Sequence, residues 1–181
     1  IYRFDLLSKL LYDFVWAEFC DWYIELSKVN LQDENLKSET LHTLFYVLDN
    51  IICLLHPIMP FITENIYQGI AEYTGNTGSI MLAAYPAADE KLIDEEANYE
   101  STWVRAIITA IHRARGENNI NPGKKLKVLL KNGHDADKER LSRLKGYLLT
   151  LAKASSIDWL AGEAPPSILA PLTWEGLEVL I

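Results

Sequence analysis

Few residues in this sequence have chemistry to offer. The four histidines, His42, His56, His112 and His134, stand too far apart for a local metal motif such as His-Glu-x-x-His. His42 and His112 read as lone polar groups on helices. Gly116 to Lys125 has the outline of a phosphate-binding loop but fails in detail. Six residues separate Gly116 from Gly123-Lys124, and Lys125 stands where Ser or Thr would hold magnesium. No Gly-x-Ser-x-Gly elbow is present, and the acid pair Glu95 and Glu96 suits the start of a helix, where the dipole favours negative charge. The sequence predicts no catalytic residue, no metal site and no cofactor held by this chain.

What remains is charge. Residues 1–100 hold 5 Lys/Arg against 17 Asp/Glu, whereas residues 101–145 hold 11 against 4, inside a whole-chain net of −8. An acidic body with one basic segment can still bind a polyanion, because salt screens the distant charge more than the near one. The plainer alternative is a solvated lysine face. Arg113, Arg115, Lys124 and Lys125 are the candidate polyanion patch. On a helix Arg113 and Arg115 point roughly 200° apart, so one can face an anion while the other bridges to Glu117 or a carbonyl.

These residues need elements to position them. From Tyr2 to about Lys28 no proline or glycine intervenes, and apolar residues lie nearly all round a helix, which predicts a helix sandwiched between neighbours. Trp16, Trp22 and Tyr23 are assigned to its packing. Asn30 to Lys37 reads as a loop, followed by a helix with Leu41, Leu44, Phe45, Leu48, Ile51, Ile52 and Leu55 inward, stopped at His56-Pro57. Pro57 or Pro60 opens a third helix with Phe61, Ile62, Ile66 and Ile70 as its buried stripe. Ser79 to Pro86 reads as extended. A fourth helix starts at Asp94-Glu95-Glu96 and buries Trp103, Val104, Ile107, Ile108 and Ile111. After Asn121-Pro122-Gly123 come a strand over 126–131, a helix over 135–154 and strands over 156–160 and 177–181.

Composition sets the class. With 181 residues, 49% hydrophobic and 23% charged, the chain is an ordinary globular sequence. Cys20 and Cys53 lie in apolar helical runs, which suggests buried structural thiols in a reducing compartment. No apolar run reaches the roughly 18 residues of a membrane helix.

Two stretches are more specific than helix filler. Residues 11–28, Leu-Tyr-Asp-Phe-Val-Trp-Ala-Glu-Phe-Cys-Asp-Trp-Tyr-Ile-Glu-Leu-Ser-Lys, resemble the anticodon-binding helical bundle of the class I aminoacyl-tRNA synthetases, in its valyl branch. So do residues 55–64, Leu-His-Pro-Ile-Met-Pro-Phe-Ile-Thr-Glu. Ser79 to Pro86 is similar to the valyl branch in particular, and Arg113 to Ile120 with Pro122-Gly123-Lys124-Lys125 to the junction into the family's small C-terminal domain. The family more often has Glu, Trp and Met where this chain has Asn65, Tyr67 and Asn118. Asn65 and Tyr67 are expected on the exposed face of the third helix. The ATP-binding motifs His-Ile-Gly-His and Lys-Met-Ser-Lys-Ser are absent from these residues.

The resemblance implies a mainly α fold, with an antiparallel helical bundle of the class I anticodon-binding type over 1–120 and a small α+β domain over 121–181. It implies an N-terminally truncated fragment without editing domain or coiled-coil arm, inactive alone, from a cytoplasmic parent that uses ATP. The implied partner is tRNA(Val), through its anticodon loop and backbone, with no membrane or DNA expected. Valine anticodons share their last two letters, and unstacked loop bases are read by stacking and by edge contacts. By resemblance, the start of the first helix lies at the anticodon end, which points to Arg3 and Phe4 as base-stacking residues. The alternative roles are a solvated cap for Arg3 and a core rung for Phe4. Two other functions remain open: a protein-docking helical module, favoured by the acidic first hundred residues, and the isoleucyl, leucyl or methionyl branch.

Overall fold

A computed structural model describes residues 3–160, 169–174 and 176–181. The protein is mainly helical with one small sheet, and its chain divides into two units, Ile1–Glu90 and Lys91–Ile181. The division lies upstream of the 120/121 boundary expected from the sequence, because the fourth long helix packs on the sheet that follows it.

In the first unit, α1 (Phe4–Asp13) continues through a π-helical stretch (Phe14–Tyr23) into α2 (Ile24–Asn30). The expected sandwich is not what forms. Leu11, Phe19 and Ser27 are buried along this run, whereas Phe4, Leu6, Leu10, Tyr12, Phe14 and Trp16 are exposed. In the π stretch the backbone bonds span five residues, so faces assigned by α spacing lose phase beyond Asp13. Trp16, expected in the core, is 58% exposed and stacks on Tyr12 at a centroid distance of 6.3 Å. Trp22 and Tyr23 are half-buried.

The next helix, α3 (Glu34–Leu55), begins earlier than expected because the Asp33 carboxylate accepts the Asn35 N–H at 2.9 Å, capping the first turn. It stops at His56-Pro57, and Pro60 opens α4 (Pro60–Gly69). The inward face of α4 matches the expected stripe only in part, at Ile66, which packs against the core, and at Ile70. Thr63, Tyr67 and Ile70 are buried, while Phe61 is 91% exposed and Ile62 is exposed. Hydrophobicity alone misassigns this face, and Tyr67 changes sides with it. Ile52, Cys53, Tyr67, Ile70 and Ile80 form one hydrophobic cluster in this unit. A short α5 (Ala71–Thr74) ends at Gly75 in the left-handed conformation. Ser79 to Pro86 contains a 3-10 turn (Ile80–Leu82) in place of an extended run. Glu64 anchors that turn, accepting from Ser79 Oγ at 2.9 Å and from the Ile80 N–H at 3.0 Å.

In the second unit, Asp94 caps α6 (Glu95–Glu117) by accepting the Ala97 N–H at 3.0 Å. Trp103, Val104, Ile107, Ile108 and Ile111 are all buried, as the spacing predicts. A second turn of 3-10 helix (Glu90–Leu92) precedes the cap. The sheet has order β2-β1-β4-β3, with β1 at Leu126–Lys131, β2 at Ala154–Trp159, β3 at Leu169–Trp174 and β4 at Leu177–Leu180. Strands β1 and β2 are parallel, joined by α7 (Asp135–Leu151), and β4 runs antiparallel to β1 and β3. Strand β3 is not among the elements the sequence predicts: Pro171 argues against a strand, but β3 is an edge, where a missing N–H is tolerated. Gly133 is required between β1 and α7. A Cβ there would meet Leu177 Cδ1 and Trp159 Cη2 at 2.7 Å and Asp137 Oδ2 at 2.8 Å. Asp137 is itself buried and accepts from the His134 N–H and Arg140 Nη1. Among the described residues no helix is long and apolar enough to cross a membrane.

Candidate nucleic-acid interface

Arg3 is the N-cap residue of α1, and its guanidinium holds Asp5 in a fork: Nε to Oδ1 at 2.8 Å and Nη2 to Oδ2 at 2.6 Å. The hydrogen bonds from Arg3 hold the Asp5 carboxyl below its ordinary range, and the same bonds raise the guanidinium. The fork uses the in-plane edge of Arg3 and fixes the plane, whose face is what a base stacks on. Phe4 is 65% exposed. Its ring is therefore not a core rung.

The basic patch separates into different roles. Arg113 is exposed and its Nε donates to Glu117 Oε1 at 2.7 Å. Arg115 is 6% exposed and is turned inward instead of toward an outside anion. Its Nη1 donates to the carbonyls of Lys124 at 2.8 Å and Asn121 at 3.4 Å, and its Nη2 to those of Ala152 and Lys153, both at 3.0 Å. This is the carbonyl bridge that opposite faces on α6 allow. One guanidinium ties the end of α6 to the 121–124 turn and to the α7–β2 turn.

Lys124 and Lys125 are exposed on the turn that Arg115 holds. The Asn121 side chain tightens that turn by accepting the Gly123 N–H at 2.8 Å. Neither lysine has a carboxylate partner among the described residues. Arg3 and Phe4 belong to the first unit, and the other four candidates to the second. Cys53 is buried and Cys20 half-buried, both as free thiols. Among the described residues no group of three or more His, Cys, Asp or Glu is placed to hold a metal ion.

A family model described as the anticodon-binding domain of tRNA ligase matches residues 1–130. The chain belongs to this family. It is similar to valine–tRNA ligase of Legionella pneumophila (strain Lens), 41% identical over 99% of this chain and 20% of the relative. It is also similar to valine–tRNA ligases of Coxiella burnetii, at 40% over 99% of this chain and 20% of the relative, and Xanthomonas axonopodis pv. citri, at 40% over 93% and 19%. The chain thus spans about a fifth of the length of those relatives.

The exposed cation that sequence reasoning misses is Lys153, beyond the residues matched by the family model. The spacing predicts it inside a helix extending to Ala154, whereas α7 ends at Leu151 and Lys153 adopts a left-handed backbone, φ 49°. Parallel pairing of β1 and β2 is the available signal. Such pairing sets the residues preceding each strand at the same end of the sheet, and the register puts Leu126 opposite Ala154.

Proposed function

We propose that this chain is the anticodon-reading portion of a valine–tRNA ligase and binds tRNA(Val) through the anticodon loop and adjoining backbone. The observation that carries the reading is the 41% identity to a valine–tRNA ligase across 99% of the chain. On this reading the helices of the first unit form an antiparallel bundle of the class I type, and the second unit, with α6 on its sheet, is the small appended domain. Arg3 and Phe4 offer a fixed guanidinium and an exposed ring to a splayed anticodon base. Lys124 and Lys125 hold phosphates, and Arg113 faces the same polyanion.

The longer cytoplasmic polypeptide attaches valine to tRNA(Val) with ATP. This chain alone catalyses nothing and holds no cofactor, since the sequence has neither nucleotide motif of the class. Two measurements test the proposal. The chain should bind tRNA(Val) more tightly than a transcript with the middle anticodon letter exchanged, and equal affinity would overturn the anticodon reading. Valine-dependent ATP–pyrophosphate exchange by the purified chain would overturn its inactivity.

A further inference from the structure

The cations of this protein are mostly spoken for. Arg3, Lys9, Lys28, Lys37, Arg113, Lys138, Arg140, Arg143 and Lys145 pair with carboxylates. Arg115 gives its Nη1 and Nη2 to carbonyls, and Lys91 and Arg105 have partners of their own. Among the described residues that leaves Lys124, Lys125, Lys127, Lys131 and Lys153 without an ion pair. Lys127 feels the charge of nearby Asp158, which it helps hold below the ordinary carboxylate range, after the larger effect of Lys145. Lys131 lies at the far end of β1, about 20 Å along the strand from Lys125.

The other three converge. Lys124 and Lys125 precede β1, Lys153 precedes β2, and the two strands are parallel, so all three sit at one end of the sheet. The Arg115 guanidinium binds the carbonyls of both Lys124 and Lys153, making it the hub from which the two lysine-bearing turns diverge. Between them lies a cleft of about 420 Å³ whose walls include Gly123, Lys125, Thr150, Lys153 and Ser155. Two lysines, a threonine and a serine thus line one cleft, with Lys124 beside it on the same turn as Lys125. Lys153 also stands in the left-handed region of the backbone, which favours glycine or asparagine and strains a residue with a Cβ. A side chain with no ion pair among the described residues is held there against that strain.

We propose that Lys153, with Lys124 and Lys125, forms a phosphate site for the RNA backbone, assembled by Arg115 as its positioning residue. The site rests on the tRNA-binding reading above. It is blind to base identity, and it deepens that reading by adding a contact outside the anticodon.

The test measures affinity of the 181-residue chain for tRNA(Val) against salt. Removing one lysine–phosphate interaction should lower the slope of log affinity on log salt by about one unit. Lys153→Gly should do so while leaving the melting temperature unchanged or raised, because glycine relieves the left-handed backbone. Lys153→Arg, which keeps the charge, should retain the slope, and Lys131→Ala, at the far end of the strand, should change it little. The reduction in Lys153→Gly should be equal for cognate and anticodon-exchanged transcripts. An unchanged slope in Lys153→Gly, with a lowered one in Lys124→Ala/Lys125→Ala, overturns the role of Lys153 alone. Equal reductions in Lys153→Gly and Lys131→Ala overturn the site in favour of a diffuse field. A slope that falls without any anticodon preference supports the site while the anticodon reading fails, and no tRNA binding at any salt overturns both.

Discussion

The imidazole of His56 and the hydroxyl of Thr63 lie 2.7 Å apart across the corner between α3 and α4. Thr63 Oγ1 has one proton to give, and both of its other neighbours, the carbonyls of Met59 at 2.8 Å and Pro60 at 3.2 Å, only accept. When the proton goes to a carbonyl, Nδ1 of His56 is the donor to Thr63. The family-like string from Leu55 to Glu64 is therefore a structural corner: His56 closes α3, Pro60 starts α4, Thr63 joins them, and Glu64 holds the following turn.

Thr63→Val keeps the shape of the side chain and removes the hydrogen bonds of its hydroxyl. Thr63 is 1% exposed, so the unmet groups lose their partner away from water. The expected cost is about 1–3 kcal/mol, read from chemical denaturation. A stability equal to wild type would show that the corner stands without this bond.

Phe4→Ala should leave the folded state almost unchanged, because an exposed ring contributes little to the core. If the ring stacks an anticodon base, affinity for tRNA(Val) should fall by about 1–3 kcal/mol, roughly 5- to 150-fold. Arg3→Ala should narrow the gap between cognate and exchanged-anticodon transcripts with the melting temperature nearly constant. Discrimination intact in both variants would remove this pair from the reading site.

Glu64 links stability to acid. Hydrogen bonds from Gln68 and then Ser79, with the Ile80 N–H, hold its carboxyl below the ordinary glutamate range. A folded value below the unfolded one means that the contribution is complete at neutral pH. It disappears as pH falls through the depressed value. The melting temperature should drop on acidification through that window, and Glu64→Gln should flatten this part of the profile. Profiles of identical shape would count against the linkage.

The two thiols should differ. Burial, and then the nearby charge of Asp49, push the Cys53 thiol up, so little thiolate is present at neutral pH. Cys20 is only half-buried. A thiol reagent under native conditions should label Cys20 first and Cys53 only on unfolding. Equal rapid labelling would show that the first unit opens readily.

Legibility in the sequence follows the strength of the local signal. The buried face of α6 and the limits of β1 are readable, because five apolar residues at helical spacing and a short apolar run each have one good solution. The chain from Phe4 to Asn30 is readable as helical but not by face, since a π stretch resets the phase. In α4 a polar Thr63 goes inward because it has hydrogen-bond partners, while the more apolar Phe61 stays out. The candidate site is half legible. Charge density locates Lys124 and Lys125, but the turn that brings Lys153 beside them depends on a parallel pairing between distant residues.

The position of β1 bears on how the protein emerges from the ribosome. β1 is flanked on one side by β2, reached through α7, and on the other by β4, the last strand of the sheet. Synthesis at about 5–20 residues per second puts roughly 2–10 s between the exit of β1 and that of β4. Throughout that interval β1, α7 and β2 can assemble, but the opposite edge of β1 remains an open template for any strand nearby. The face of α6 that meets β3 and β4 waits equally long for its cover. The nascent chain thus passes through a stage when the half-built second unit is most exposed to chaperones and to mispairing, and residues 177–180 end it.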